Sequence, residues 1–353
     1  MQNRSATAPM AACATLGVVL LFACPRGAHT PTVGGADSSA VIHVNSAPFV
    51  PPARVMEPPP EARWMVALPD VGLESAPVAL AAADGRVYLS TADGAVVALD
   101  SGTRRVQWRG SGSTLRSVPR RLVPAERGEL LVLGGQDDSV AVLVAATGVV
   151  RRRWRAPAFL QSGCGLHGAT LFAAADSEPL LLLDSHGAKM GNPSLPWPEF
   201  AAAHPLQRQL LLSGNGETCV AALATGPGFA MFDRAGAART ARYAEYVPTP
   251  DALVRVRSFG AGSREITARL MSRELAAQDV AVMDGVVYVA SAGRSAGAGR
   301  IVDRFRASDG RYLGTFEFES RVLRLAASDG CIYVARYEHG VPVLACHRTD
   351  KRQ

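Results

Sequence analysis

Lysine is almost missing from this 353-residue chain: it stands only at 189 and 351, so the formal net charge of +6 is carried by arginine. The arginines form no long run. Their densest spots are Arg151-Arg152-Arg153-Trp154-Arg155, Arg120-Arg121, and the pair Arg255 and Arg257. A modest, scattered charge argues against nucleic-acid binding, whose footprint is a basic stripe or face. Histidine is scarce, seven in all, and shows no H-x-x-x-H spacing near a carboxylate, so no metal site is expected. Long apolar runs are also lacking. The longest, MAACATLGVVLLFA, ends at residue 23 and is too short for the roughly 20 residues a bilayer-spanning helix needs.

Two catalytic patterns match in letters but lack their context. Gly293-Arg294-Ser295-Ala296-Gly297 fits a hydrolase nucleophile elbow, which needs a strand before it and a helix after it. Here the strand-like IVDRFRA follows. Gly163-Cys164-Gly165-Leu166-His167-Gly168 fits a dinucleotide fingerprint, which works by opening a helix, yet ATLFAAA follows. His167 is placed on an inner strand, where a hydrogen-bonded core role is preferred to a channel-facing one. Asp137-Asp138 sits in a turn, where Asp is favoured for backbone reasons. No catalytic residue, cofactor or metal ligand is therefore assigned.

What the sequence does have is repetition. The stretch Asp84 to Trp108, DGRVYLSTADGAVVALDSGTRRVQW, is three short strands separated by tight Gly-bearing turns. A turn glycine followed by an aliphatic run recurs at Gly85, Gly128, Gly168, Gly216, Gly285 and Gly330, with steps of 43, 40, 48, 69 and 45 residues. A second glycine series, Gly102, Gly148, Gly187, Gly236 and Gly310, marks the turn before the last strand of each unit. Trp64, Trp108, Trp154 and Trp197 follow at intervals of 44, 46 and 43. A period of about 40 to 50 with four short strands per unit is the signature of an all-β propeller. A four-stranded blade has two apolar faces and needs a neighbour on each, hence runs such as LLVLGG and PLLLLD without alternation.

The units fall at 77–110, 120–156, 163–197, 207–247, 278–318, and 321–348 completed by 62–68. This gives six blades, the ring closed by the N-terminal strand ARWMVAL, since VPVLACHR ends the chain one strand short. Residues 248–277, with LVRVRSF and EITARLM alternating, read as an inserted half-exposed hairpin; a worn seventh blade is the alternative. The propeller is expected over 62–350. Cys331 and Cys346 flank a hairpin and are paired as a candidate disulfide; Cys164 with Cys219 would join adjacent units.

Residues 1–23 read as a secretion signal, with Arg4 as the only charge. Leu21-Phe22-Ala23-Cys24 resembles the lipobox of bacterial lipoproteins, which implies cleavage before Cys24 and its acylation. Pro25 in place of aspartate implies, by the same resemblance, an outer-membrane destination. Residues 24–61, rich in Pro, Ala and Gly, are expected to be a disordered lipidated tether.

The unit from Asp84 to Trp108 resembles a PQQ-type propeller repeat, and later units such as GFAMFDRAGAARTARY resemble the six-bladed propellers of bacterial lipoproteins. Quinone-dependent dehydrogenases share the repeat, but their vicinal cysteines have no counterpart here. The outer-membrane assembly lipoproteins of this class match the layout, which implies a non-enzymatic, monomeric, membrane-tethered propeller. It would bind a protein or envelope component in the periplasm or at the surface. Arg255, Arg257 and Arg269 of the hairpin are the candidate partner surface. The alternative is a hydrolase or lyase with its site at the central channel.

Overall fold

A computed structural model describes residues 38–349 apart from 45–46, 112–114, 116–118, 135–137, 177, 201–202, 234–237, 259–263, 273, 295–296 and 298. The expected leader, 1–23, and Cys24 lie outside the described residues. Among these, regular structure is strand with three short 3-10 turns, and no helix is long and apolar enough to cross a membrane.

Among the described residues six sheets of antiparallel strands follow one another along the chain, each in sequential order save one added strand in the fifth and one in the sixth. Their first strands are Ala79–Ala83, Pro119–Ala125, Leu160–Leu166, Leu210–Gly214, Ala277–Met283 and Val322–Ser328. Each first strand lies against the first strand of the next sheet, and that of the sixth lies against that of the first. The architecture is a β-propeller. The sixth sheet holds three strands from 322–348, and its fourth is Ala62–Ala67, with Trp64 opposite Cys346 and Met65 opposite Ala345. The front of the chain thus closes the ring.

The reason for stacking is visible in the core. Buried side chains fall into six clusters, each built from two neighbouring sheets. One joins Val87, Leu89, Val97 and Leu99 of the first sheet to Tyr333, Ala335, Leu344 and Cys346 of the sixth. Burying a side chain of Val, Leu or Phe size is worth roughly 1.5–3 kcal/mol, so an isolated sheet would forgo this on both faces.

The repeat markers have a geometric meaning. The turn between first and second strands is Asp84-Gly85, Arg127-Gly128, His167-Gly168, Asp284-Gly285 or Asp329-Gly330, and every one of these residues has positive φ. In four of them two left-handed residues form a two-residue loop, the hairpin turn whose twist suits antiparallel strands, while the second sheet uses the three-residue turn Glu126–Gly128. In two of the units the Trp and second Gly markers are a single contact. A Cβ on Gly148 would fall 2.5 Å from the Trp108 ring, and one on Gly187 equally close to Trp154. Trp108 and Trp154 thus each lie against the turn of the next sheet, whereas a Cβ on Gly102 would meet only Asp100 and one on Gly310 would meet Ala241. Trp197 departs from this: the third sheet ends at Gly191, and Trp197 is buried beyond it.

Two disulfides join paired strands and neighbouring sheets. Cys331 and Cys346 are bonded across one hairpin, Cα atoms 5.5 Å apart. They sit diagonally, because Cys331 faces Arg348 and Cys346 faces Tyr333. Cys164 and Cys219 link the third sheet to the fourth, Cα atoms 5.9 Å apart.

Residues 38–61 differ from the expected disordered tether. Met56–Glu57 adds a fifth, parallel strand to the outer edge of the fifth sheet, opposite Thr315 and Phe316. Arg54 enters a polar pocket there. Its Nε donates to Asp303 Oδ1 at 3.1 Å, its Nη2 to Asp303 Oδ2 at 2.9 Å, and its Nη1 to Glu245 Oε2 at 2.8 Å. Asp303 is only 2% exposed. On the same strap, Glu57 accepts from the buried Arg304 at 2.7 Å, whose guanidinium stacks 4.1 Å from the Phe316 ring. No local hydrophobic pattern announces this segment; its partners are supplied by chain some 190 to 260 residues away.

A second compact unit comprises, among the described residues, stretches of Leu253–Arg269 together with Ser38–Val41. It contains a three-stranded sheet in the order Ser38–Ile42, Ala252–Ser258, Arg264–Leu270. The segment 248–277 thus contributes two strands, and the third comes from what was read as tether.

Candidate functional site

The channel of the ring is shaped by small residues on the first strands. Its waist, about 50 Å³, is lined by Ala79, Ala81, Gly163, Gly165, Gly214 and Ala326 with Ser162, Arg121 and Asp279. Glycine is required here by closeness. A Cβ on Gly165 would meet Pro124 O at 3.1 Å, and one on Gly214 would meet Cys164 Cβ at 3.0 Å. Asp279, 8% exposed, accepts from the Leu325 amide at 2.9 Å and so ties the fifth first strand to the sixth.

At one end the channel opens into a mouth of 690 Å³ formed by the positive-φ turns. Asp84, Glu126, Asp284 and Asp329 line it, with Arg127 and Asn215. Asp tolerates the left-handed conformation better than most residues, so the turn that reverses the strand also delivers a carboxylate to the axis. The turns interlock: Gly85 N donates to Asp329 Oδ2 at 3.0 Å, and His167 N to Gly216 O at 3.2 Å. Near the other end, Arg324 Nε donates to Val78 O at 2.6 Å. Burial pulls its pKa down, with Asp279 acting against that and Arg121 adding to it. The axis therefore runs from a carboxylate-lined mouth toward a guanidinium pair. Among the described residues no group of three or more His, Cys, Asp or Glu could hold a metal ion.

Several residues singled out by sequence lie elsewhere. His167 is an exposed turn residue with φ of 40°, just past the first strand on which it was placed. Glycines 163 and 165 lie inside a strand, and strand Ala169–Ala174 follows, so the dinucleotide pattern has no helix. Ser295 and Ala296, like Asp137, fall outside the described residues. Arg151 and Arg152, in the densest basic spot, both pair with Glu129, itself 7% exposed, at 2.9 and 2.8 Å. The mouth carboxylates were legible in part. Three Asp-Gly turns closing equivalent strands must point to one end of the axis, a consequence the repeat contains.

Arg255, Arg257 and Arg269 are all exposed, on the middle and last strands of the three-stranded sheet. Among the described residues none of the three has a hydrogen-bond or ion-pair partner. Val254 and Val256 alternate with the first two and are half-buried.

Residues 60–163 match the family model described as outer membrane protein assembly factor BamB. Over that stretch the repeat is PQQ-like. No curated protein matches the chain by sequence. Among solved structures, the WD40 repeats of RRP9 align with a TM-score of 0.51 at 9% identity, covering 82% of this chain and 99% of that one. U3-55K aligns at 0.50 and 9%, covering 81% and 99%. BamB from Moraxella catarrhalis aligns at 0.42 and 12%, covering 78% and 83%. At these identities the likeness is one of fold.

Proposed function

We propose that the chain is an exported, lipid-anchored propeller that binds a protein or envelope component and does no chemistry of its own. The leader and the lipobox-like Leu21-Phe22-Ala23-Cys24 support export and anchoring, with an outer-membrane address. The match of residues 60–163 to a model described as an outer membrane assembly factor supports a binding role. The observation that carries the reading is a contrast among arginines. Arg54, Arg152, Arg304 and Arg336 are tied to carboxylates within the ring, whereas Arg255, Arg257 and Arg269 are exposed and unpartnered. Pull-down from an envelope extract with the wild type and an Arg255→Glu/Arg257→Glu/Arg269→Glu variant tests it. Loss of specific material is expected; identical retained sets remove the hairpin from the account.

A hydrolase or lyase working at the channel is the second reading, favoured by the carboxylates that line the mouth. Turnover of an ester or glycan substrate that is lost in Asp84→Asn/Asp284→Asn would replace the binding role.

A further inference from the structure

We infer that the three-stranded sheet rests on the anionic headgroups of the same membrane that holds the chain's lipid. This builds on the anchored reading above and names what the hairpin contacts.

The first argument is connectivity. Cys24 and Ser38 are separated by thirteen residues, 25–37, and Ser38 opens the first strand of this sheet. Thirteen residues reach at most about 45 Å however they are folded, at roughly 3.5 Å each. The anchored chain therefore cannot carry this sheet far from the bilayer. A linker of that length holds its two ends at an effective concentration in the millimolar range, so a weak surface attraction suffices to keep contact. Had residues 24–61 all been tether, the same leash would have ended on the ring.

The second argument is charge. Residues 253–269 carry four arginines to one glutamate. Arg255 and Arg257 alternate with half-buried valines and so share one face of the middle strand. Neither they nor Arg269 spends its charge inside the protein. The strand beside them, Ser38–Val41, is exposed throughout and carries no acidic residue. A basic segment next to an anionic surface gains about 1 kcal/mol per arginine, an attraction that fades within a Debye length. Three arginines correspond to roughly a hundredfold in partitioning. A protein partner of the same surface would need complementary carboxylates; a membrane needs only its headgroups and is already within reach.

The test uses the mature chain with Cys24→Ala, so that no acyl group contributes, sedimented with vesicles of phosphatidylcholine alone or with 30% phosphatidylglycerol. Preferential binding to the anionic vesicles is expected, weakening as salt rises. It should fall by more than about a hundredfold in Arg255→Glu/Arg257→Glu/Arg269→Glu, which removes three attractions and adds repulsion, and be kept by the triple Arg→Lys variant, which preserves charge. Equal sedimentation with both vesicles, or wild-type binding by the glutamate variant, overturns the inference. So does retention of a protein partner that depends on the three arginines while vesicle binding does not. Mass analysis of Cys24 in the wild type judges the anchor separately: an unmodified Cys24 with anionic binding intact sinks the anchor alone, and an acylated one with no vesicle preference sinks the surface alone.

Discussion

The ring and the small sheet treat the same residue types in opposite ways. In the ring, arginine is a fastener. Arg54 clamps a strap to Asp303 and Glu245, Arg152 joins Glu129 to the Ser185 carbonyl of the next sheet, and Arg336 holds Glu338. In the three-stranded sheet, Arg255, Arg257 and Arg269 hold nothing. Burial follows the same line. Ring strands such as Cys219–Leu223 and Gly228–Phe232 are buried at every position, while Ser38–Val41 is exposed at every position. A charge that is desolvated must be paired or it destabilises the fold; a charge left in water costs nothing and remains available. The comparison therefore separates arginines paired within the fold from arginines left in water.

The sharpest way to break it is Arg54→Ala. Asp303 and Glu245 would lose their shared cation, and removing one partner of a buried pair costs about 3–5 kcal/mol. Urea denaturation should show a loss of that order; a loss below about 1 kcal/mol would mean the strap is an ornament. Next comes Gly187→Val. It places a β-branched residue at φ of 83° and drives its Cβ into Trp154. Strain and overpacking together predict a loss of about 3 kcal/mol, read as a lower midpoint at unchanged slope. A smaller effect is expected from pH. His347 is 3% exposed, its Nδ1 donates to Pro60 O at 2.7 Å, and burial lowers its pKa. A folded-state value below the unfolded one means full stability above about pH 6.5, lost as pH falls beneath that value, because the unfolded chain takes the proton first. Thermal melts from pH 7.5 to 5 should fall more steeply for the wild type than for His347→Gln. The smallest effect is the control. Arg255→Ala/Arg257→Ala/Arg269→Ala should shift stability by no more than about 0.5 kcal/mol, and a larger loss would make these arginines fasteners after all.

The ring was readable because its signals are local and repeated. Asp84-Gly85, Asp284-Gly285 and Asp329-Gly330 announce their turns by residue type alone, and the aliphatic runs behind them announce strands. Trp108 and Trp154 kept register because each must meet the glycine of the following unit. The strap and the added strand were unreadable for the opposite reason. Val55-Met56-Glu57 carries no period of its own, and proline on either side suggested coil. Its strand character comes from an edge formed more than 250 residues later. Ser38–Ile42 is likewise a strand only because Ala252–Ser258 offers it one. Of the candidate surfaces, the hairpin arginines were visible through strict alternation. The mouth needed the extra step of asking where equivalent turns point.

The sixth sheet takes one strand from residues 62–67 and three from 322–348. A chain that emerges N-terminus first therefore releases the piece that locks the circle long before the pieces it locks onto. Until the last thirty residues arrive, both rims of the growing fan stay open to strangers. Completion is a single late event, and a truncation at the tail should cost the circle rather than a corner of it.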